Sequence, residues 1–192
     1  MKRIGFIGVG SMGAPMARCV ARTGFELTVC DTNPNAVAGF ESIALRLTDK
    51  AADCANQDMV IVMVTNDEQV KQVMLEDDGL LKNVDPKHAP AIAVMSTVLP
   101  QTIHAVADEC ATKGVRLVDA PVSGLPVVAE KGKITIMVGG KLADLELMRP
   151  VFEAMGENIF HTGDLGTGEV TKLVNNMVGL PNLFLTVEAM QV

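Results

Sequence analysis

Short apolar runs alternate with amphipathic stretches along most of the chain. The runs are RIGFIG (3–8), ELTVCD (26–31), DMVIVMV (58–64), AIAVMS (91–96) and RLVDA (116–120). Near-continuous apolar runs of this length are typical of strands that are buried on both faces of a sheet. Helical apolar spacing occurs between them at residues 11–23, 33–42 and 102–114. This alternation predicts an α/β fold, a doubly wound and mostly parallel sheet with helices on both faces.

The pattern changes after Pro121. KITIMVGG (133–140) and ENIFHTG (157–163) read as strands that flank a helix at 143–156, and we expect them to extend the sheet as a mixed edge. One long C-terminal helix is predicted from residue 168 to 192. Pro181 lies inside it, lacks a backbone N–H and crowds the carbonyl group of Met177, so we expect a kink or a break there.

A glycine-rich turn joins the first predicted strand to the first predicted helix. Its sequence, GVGSMG at 8–13, matches the G-x-G-x-x-G pattern of dinucleotide-binding turns. Gly8 allows the tight turn, Gly10 lets the backbone approach a pyrophosphate, and Gly13 permits close packing of helix and strand. Because a helix N-terminus offers free N–H groups to phosphates, the sequence predicts a cofactor site at Gly8, Gly10, Ser11, Met12 and Gly13.

A carboxylate, Asp31, ends the second predicted strand, about twenty residues after the glycine turn. At this position a carboxylate accepts hydrogen bonds from the ribose hydroxyl groups of the cofactor. It repels the additional phosphate of NADP, and the predicted cofactor is therefore NAD.

Composition excludes several classes of function. The 192 residues are 48% hydrophobic and carry a net charge of −7 without a basic run, which disfavours a nucleic-acid partner. No apolar stretch reaches the length of about 20 residues that a membrane helix needs. The four cysteines and three histidines are scattered, so no metal site is predicted. Unpaired cysteines of this kind indicate a reducing compartment, and we expect a cytoplasmic protein.

Four sequence blocks together resemble the β-hydroxyacid dehydrogenase family, which includes 3-hydroxyisobutyrate dehydrogenase and tartronate semialdehyde reductase. The blocks are IGFIGVGSMGAPMA at the start, MSTVLP (95–100), DAPVSG (119–124) and GTGEVTKLVNN (166–176). The resemblance implies a Rossmann domain at 1–164 and an interdomain helix at 165–192. That helix would begin a helical second domain, and the chain would stop inside it. A small carboxylate substrate and a homo-oligomer are also implied.

The resemblance also assigns site residues. Val64, Thr65 and Thr97 would contact the cofactor. Ser123 and Gly124 would hold the substrate carboxylate, Asn176 would bind the substrate, and Lys172 would be the catalytic residue. Leu125 departs from the family pattern, where a second glycine often follows, and could narrow the substrate entrance.

The residue types at the C-terminal block suit alcohol oxidation. The cofactor takes the hydride, so the protein must supply an acceptor for the proton of the hydroxyl group. Lys172 suits this role because a helix N-terminus and burial both disfavour its charged form. Lys172, Asn175 and Asn176 share one helix face, at positions i, i+3 and i+4.

Two alternatives remain open at the level of sequence. The first is a non-catalytic dinucleotide-binding module, which the short length favours and the retention of Lys172, Ser123 and Asn176 disfavours. The second is a relative of 6-phosphogluconate dehydrogenase. Those enzymes carry a histidine where this chain has Asn175 and a tyrosine soon after, whereas this chain contains no tyrosine.

Overall fold

The structure, a computed structural model, describes residues 1–191. It contains nine strands. They are β1 (Arg3–Ile7), β2 (Glu26–Cys30), β3 (Arg46–Thr48), β4 (Met59–Val62), β5 (Ala91–Val94), β6 (Arg116–Asp119), β7 (Val122–Ser123), β8 (Ile134–Gly139) and β9 (Gly156–Gly163).

Seven α-helices connect and follow these strands. They are α1 (Gly13–Arg22), α2 (Pro34–Ala38), α3 (Asp67–Leu75), α4 (Pro100–Thr112), α5 (Pro126–Glu130), α6 (Leu142–Glu153) and α7 (Thr167–Ala189). Short 3-10 turns occur at Ala51–Cys54, Leu81–Asn83 and Pro86–His88.

The strands form one sheet in the order β3-β2-β1-β4-β5-β6-β8-β7, and β9 pairs with β8. The first six strands of this order are parallel. Strand β8 is antiparallel to both β6 and β7 and parallel to β9. The predicted Rossmann-type sheet with a mixed edge is therefore confirmed. The strand order reverses between β1 and β4, where folds of this type bind their ligands.

The core lies on both faces of the sheet. One cluster joins Phe6 on β1 to Met16 on α1 and Phe152 on α6. The other joins Val60 on β4 to Met74 on α3 and Ile103 on α4. Because helices cover both faces, the central strands need apolar side chains at every position, which is why they read as continuous apolar runs.

Several helices and strands were not predicted from the sequence. Helix α3 was missed although Asn66 and Asp67 gave the signal of a helix start, and the Asn66 side chain accepts the N–H of Gln69 at 2.9 Å. Strands β3 and β7 and helix α5 span only two to five residues, too few to show a period. Helix α2 ends at Ala38, before the predicted end at residue 42.

Of the kink or break predicted at Pro181, the break is wrong, because α7 continues through this residue to Ala189. The helix is exposed at Met177, four residues earlier, and on all sides of the proline. A carbonyl group that loses its helical partner on an exposed surface remains accessible to solvent. The lost hydrogen bond therefore costs less here than it would in a buried helix.

Candidate cofactor and catalytic site

The glycine turn has the geometry that its sequence predicted. Gly8 has a φ of +88°, and a Cβ on it would lie 2.2 Å from the backbone oxygen of Met63. A Cβ on Gly13 would lie 1.9 Å from the oxygen of Gly8, so α1 packs directly on the turn. A Cβ on Gly10 would meet no atom within 4 Å, and this backbone faces open space. Of the three glycines of the turn, only Gly10 therefore leaves room for a ligand.

Backbone donors are free at the start of α1. Among residues 1–191, the N–H groups of Ser11 and Met12 make no hydrogen bond, and Met12, the residue before the helix, has no side-chain cap. Free N–H groups at the positive end of a helix dipole bind anions such as a pyrophosphate. The residues present thus fit the phosphate part of a dinucleotide.

Asp31 holds the turn as well as facing the cleft. One carboxylate oxygen accepts the N–H of Val9 at 2.8 Å, and the other accepts the N–H of Asn33 at 2.9 Å. Each oxygen keeps a second lone pair, so the carboxylate can still accept ribose hydroxyl groups. The hydrogen bonds of Asp31 to the turn were not predicted from the sequence.

A cleft of about 520 Å³ lies at the carboxyl ends of the first parallel strands. Of the predicted cofactor residues, it is lined by Gly8, Gly10, Asp31, Val64 and Thr65. Asn33, Lys50, Gln69 and Gln72 also line it, and none of them was predicted. The structure thus brings together residues from the ends of β1 and β2 and from the connection that follows β4.

The turn after β5 is fastened on two sides. The hydroxyl oxygen of Ser96 accepts the N–H of Val64 at 2.8 Å. The carboxylate of Asp67 accepts the N–H of Leu99 at 2.9 Å and the hydroxyl of Thr102 at 2.6 Å. Thr97 lies exposed between these anchors at the same edge of the sheet. The hydrogen bonds therefore fix the backbone that carries a predicted cofactor contact.

The predicted carboxylate-binding pair follows β6. Ser123 ends the short strand β7 opposite Thr135 of β8 and is partly exposed. Gly124 has a φ of +145°, and a Cβ there would lie 3.2 Å from the Cγ2 atom of Ile134. The left-handed conformation and the close neighbour together explain a glycine at this position.

A buried carboxylate docks the start of α7 on the sheet. Asp119, the last residue of β6, accepts the N–H of Gly166 at 2.7 Å and the N–H of Glu169 at 2.8 Å. It is fully buried, which raises the pKa of its carboxyl group, and the hydrogen bonds oppose this rise. Asp119 caps the helix from 47 residues earlier in the chain.

Glu169 and Lys172 lie on the same face of the first turns of α7. Glu169 is fully buried and accepts the N–H of Val98 at 3.1 Å. Burial raises the pKa of Glu169 to about 8, and the nearby charges of Asp119 and Asp67 act in the same direction. Burial lowers the pKa of Lys172, and the neighbouring Glu169 partly opposes this. A lysine with a lowered pKa is suited to proton transfer.

Lys172 and Asn176 are both partly buried on α7, while Asn175 is exposed. These residues, together with Thr97, Ser123 and Gly124, do not line the 520 Å³ cleft. Thr97 follows β5, Ser123 and Gly124 lie at the end of β7, and Lys172, Asn175 and Asn176 lie on α7, which follows β9. The connecting residues Ser96, Asp119 and Glu169 were not predicted, although Asp119 and Glu169 are carboxylates inside otherwise apolar or glycine-rich blocks.

No helix in the part of the chain that the structure describes is long and apolar enough to cross a bilayer. Within the same residues, no group of three or more histidine, cysteine or acidic side chains is placed to hold a metal ion.

The fold and the glycine turn define a dinucleotide-binding domain, and comparison with known proteins places it in a family. The chain belongs to the family of NAD binding domains of 6-phosphogluconate dehydrogenase, whose sequence model matches residues 3–163. This assignment confirms NAD as the predicted cofactor.

Two curated relatives come from Pseudomonas aeruginosa. A 3-hydroxyisobutyrate dehydrogenase is 41% identical over 179 residues, which cover 93% of this chain and 59% of the relative. An NAD-dependent L-serine dehydrogenase is 41% identical over 194 residues, covering 99% of this chain and 63% of the relative. The chain thus spans about three-fifths of these relatives. The resemblance seen in the four sequence blocks is confirmed.

Solved structures agree with the sequence relatives. The 3-hydroxyisobutyrate dehydrogenase of Salmonella typhimurium is 30% identical with a TM-score of 0.89, covering 99% of this chain and 66% of that one. The Mycobacterium tuberculosis 3-hydroxyisobutyrate dehydrogenase, in a structure with L-serine, is 29% identical with a TM-score of 0.86, covering 100% and 66%. The arrangement of β1 to α7 is therefore shared with both proteins.

Proposed function

We propose that this chain is the cofactor-binding part of an NAD-dependent dehydrogenase that oxidises a short β-hydroxyacid or reduces the corresponding semialdehyde. The relatives named for 3-hydroxyisobutyrate and L-serine support this substrate class. Both compounds are short acids with a hydroxyl group on the β carbon. The substrate is accordingly a small carboxylate.

The observation that carries the proposal is the position of Lys172. It lies on the helix that Asp119 docks at the carboxyl edge of the sheet, and burial lowers its pKa. A lysine that is fully exposed to solvent would not have its pKa lowered by burial in this way. A lysine held near the carboxyl ends of β5 and β6 is available as a general acid or base.

The division of labour follows from the residues present. NAD, when bound, supplies the hydride chemistry. Ser123 and Gly124 hold the substrate carboxylate, and Asn176 orients the substrate from the same helix face as Lys172. The Nζ atom of Lys172 accepts the proton of the substrate hydroxyl group during oxidation and returns it during reduction. Val64, Thr65 and Thr97 contact the cofactor from the ends of β4 and β5.

NAD is preferred over NADP because of the charge of the cleft. Four acidic residues line it, namely Asp31, Asp49, Glu76 and Asp78, together with the cation of Lys50. An additional phosphate group near Asp31 would be repelled by this set.

The chain divides functionally at the start of α7. In this proposal residues 1–164 are the NAD-binding domain, and α7 (Thr167–Ala189) is an interdomain helix that leads into a second domain. The exposed apolar side chains of α7 support this division, since a helix surface of this kind needs a covering partner. We further propose a homo-oligomer and, from the four free cysteines, a reducing compartment such as the cytoplasm.

Cofactor titration tests the first half of the proposal. Because the chain contains no tryptophan, NADH and NADPH binding can each be followed by cofactor fluorescence with little protein background. We expect NADH to bind more tightly, and Asp31→Ala to level the difference. Glu68→Ala, an exposed carboxylate outside the cleft, is the control and should keep the preference. Tighter binding of NADPH by the unaltered chain would contradict the assignment of Asp31.

Turnover tests the second half. Substrate-dependent NADH formation is measured with a panel of short β-hydroxyacids. Lys172→Ala should lower kcat by about 100-fold or more, since general acid–base catalysis contributes factors of this size. Cofactor binding should remain. Lys141→Ala removes an exposed lysine before α6 and should keep full activity. Full turnover by Lys172→Ala would remove this residue from the mechanism.

A further inference from the structure

The buried carboxyl group of Glu169 is incompletely paired. Its Oε2 atom accepts the N–H of Val98, but its Oε1 atom has no hydrogen-bond partner within the described residues. A buried polar atom without a partner costs free energy, so such atoms are rare and their presence needs a physical explanation. Sequence alone gives Glu169 the ordinary position of an acidic residue in the first turn of a helix.

Glu169 connects two parts of the site. Its bond to Val98 joins α7 to the turn of residues 96–99, which carries Thr97. Its position three residues before Lys172 places both side chains on one face of α7. No ion pair within 4 Å joins the two side chains in the part of the chain that the structure describes. The carboxyl group therefore influences the amine through its charge, not through a fixed contact.

A second carboxyl group, that of Asp119, decides where the proton resides. Asp119 has two hydrogen-bonded N–H donors, whereas Glu169 has one. Two buried carboxylates near each other cannot both be charged without a large cost, and the one with fewer donors keeps its proton. The pKa of Glu169, which burial raises to about 8, agrees with a proton on this carboxyl group at neutral pH.

Other titratable groups near Glu169 come from each element that packs on the start of α7. Asp67 of α3 and Asp119 of β6 add negative charge, and Lys172 adds positive charge. His104 of α4 lies beside Gly166, where an added Cβ would be 3.0 Å from its Nε2 atom. Strand β8 has no titratable side chain. On β9, Glu157 pairs with Lys133 and His161 contacts the backbone oxygen of Gly140, so both are engaged elsewhere.

We propose that Glu169 is a positioning residue that holds the Thr97 turn against the Lys172 helix and, by gaining or losing its proton, sets the charge that Lys172 faces. This inference rests on the proposed role of Lys172. With Glu169 protonated, burial alone acts on Lys172 and favours the neutral amine that accepts a proton from the substrate. With Glu169 ionised, the ammonium form of Lys172 is stabilised. The two groups therefore titrate as a coupled pair.

Competitive acetylation measures this coupling without turnover. The chain is treated with trace acetic anhydride, which reacts only with neutral amines, and the labelling of Lys172 relative to Lys141 is read by peptide mass spectrometry. Glu169→Gln keeps the size of the side chain and an acceptor for Val98 but cannot ionise. At about pH 6.5 the variant and the unaltered chain should label equally, because both carry a neutral group. At about pH 9 the variant should label about threefold faster, because only the unaltered chain carries the charge.

Glu188→Gln, an exposed position on the same helix, is the matched control and should label like the unaltered chain at both pH values. Equal labelling of Glu169→Gln and the unaltered chain at both pH values would overturn the proposal. An equal change at both pH values would also overturn it, since that is the result of a purely structural disturbance.

A measurement on the unaltered chain guards against a variant that fails to fold. Carboxyl-carbon NMR of the chain with labelled glutamate should show one side chain that titrates near pH 8. The signal is assigned by its absence in Glu169→Gln or, if that variant is unfolded, by its proximity to the Val98 amide. Titration of Glu169 at the usual glutamate value would contradict the proposal. Neither measurement needs a substrate, so an inactive chain would affect only the proposed function.

Discussion

Gly8 and Gly24 have almost the same backbone conformation, with φ values of +88° and +89°. Their surroundings differ. A Cβ on Gly8 would lie 2.2 Å from the carbonyl oxygen of Met63, whereas a Cβ on Gly24 would meet nothing within 4 Å. Gly24 is required only by its left-handed conformation, whereas Gly8 is required by this conformation and also by the close approach of the chain segments that follow β1 and β4.

Gly8→Ala and Gly24→Ala should therefore destabilise the protein unequally. Both variants force alanine into the left-handed region, at a cost of about 1–2 kcal/mol. Gly8→Ala additionally moves β1 away from the end of β4, and overpacking of this kind costs about 1–3 kcal/mol more. Urea unfolding at neutral pH gives both values. Equal losses of stability would show that the contact with Met63 is relieved by local movement.

The raised pKa of Glu169 predicts that the stability of the protein depends on pH. The folded chain keeps the proton of Glu169 up to a pKa of about 8, whereas the ordinary value is 4.5. Between these values the folded state binds more protons than the unfolded state, so the free energy of unfolding falls as the pH rises. The contribution is complete below about pH 4.5 and is lost as the pH passes 8. Above that pH no further change is due to this residue.

Urea unfolding at about pH 5, 7 and 9 checks this dependence. The stability of the unaltered chain should fall by a few kcal/mol relative to Glu169→Gln, which has no proton to lose at this position. Glu188→Gln should follow the unaltered chain because its side chain is exposed. Parallel curves for the unaltered chain and Glu169→Gln would show that Glu169 ionises normally in the folded state.

At the scale of the element, α7 depends on a residue that is far away in sequence. Its first turn has no side-chain cap of its own, and Gly166 before it has a φ of +91°. The Asp119 carboxylate replaces the cap by accepting two N–H groups of this turn. Gly139 and Gly168 make room for it, because a Cβ on either would lie less than 3 Å from an Asp119 oxygen. Gly139 and Gly168 therefore allow Asp119 to hold the start of α7 against the sheet.

Asp119→Asn should loosen the start of α7. One acceptor oxygen becomes an NH₂ group that faces backbone N–H donors, and the loss of a cap costs about 1 kcal/mol or more. Hydrogen exchange of peptides that cover residues 165–175 should accelerate, while that of β1 and β4 stays slow. Asp164→Asn is the control, because the contacts of Asp164 with Thr167 use its backbone oxygen. Unchanged exchange in Asp119→Asn would assign the docking of α7 to its apolar contacts alone.

At the scale of the whole molecule, the two ends of α7 differ in burial. Gly168 and Glu169 are buried at its start, whereas residues 177–190 are exposed on every side. Large apolar side chains are exposed along this part, namely Met177, Val178, Leu180, Leu183, Phe184, Leu185, Val187 and Met190. An apolar surface of this extent is typical of an interface with another domain or another subunit.

The chain should therefore self-associate through α7. The double substitution Leu183→Lys with Phe184→Lys places two charges on the exposed part of the helix and should shift the chain towards the monomer. Sedimentation velocity across a wide concentration range measures this. Leu45→Lys changes an equally exposed apolar residue outside α7 and should leave the association unchanged. A chain that stays monomeric at every concentration would contradict the proposed interface.

The sequence by itself determined the longer strands of the sheet, the glycine turn and the cofactor. These features depend on local rules: a strand buried on both faces is apolar at each position, and only glycine tolerates the conformation of Gly8. The position of Asp31 on the cleft followed from the same kind of rule, since its distance from the turn is set by one strand–helix–strand unit, and its contact with the ribose remains a prediction. Elements of two to five residues, such as β7 and α5, were missed because they are shorter than any period.

Only the tertiary structure decided the surroundings of Lys172. Asp119 reaches α7 across 47 residues and Glu169 reaches Val98 across 71, and no local pattern encodes such contacts. Burial, which shifts the pKa values of Glu169 and Lys172, is likewise a property of the packed molecule. The continuation of α7 through Pro181 depends on the exposure of that part of the helix. Local steric restrictions can be recognised in the sequence, whereas the free energy of a charge depends on the burial, the neighbouring charges and the hydrogen bonds that the fold provides.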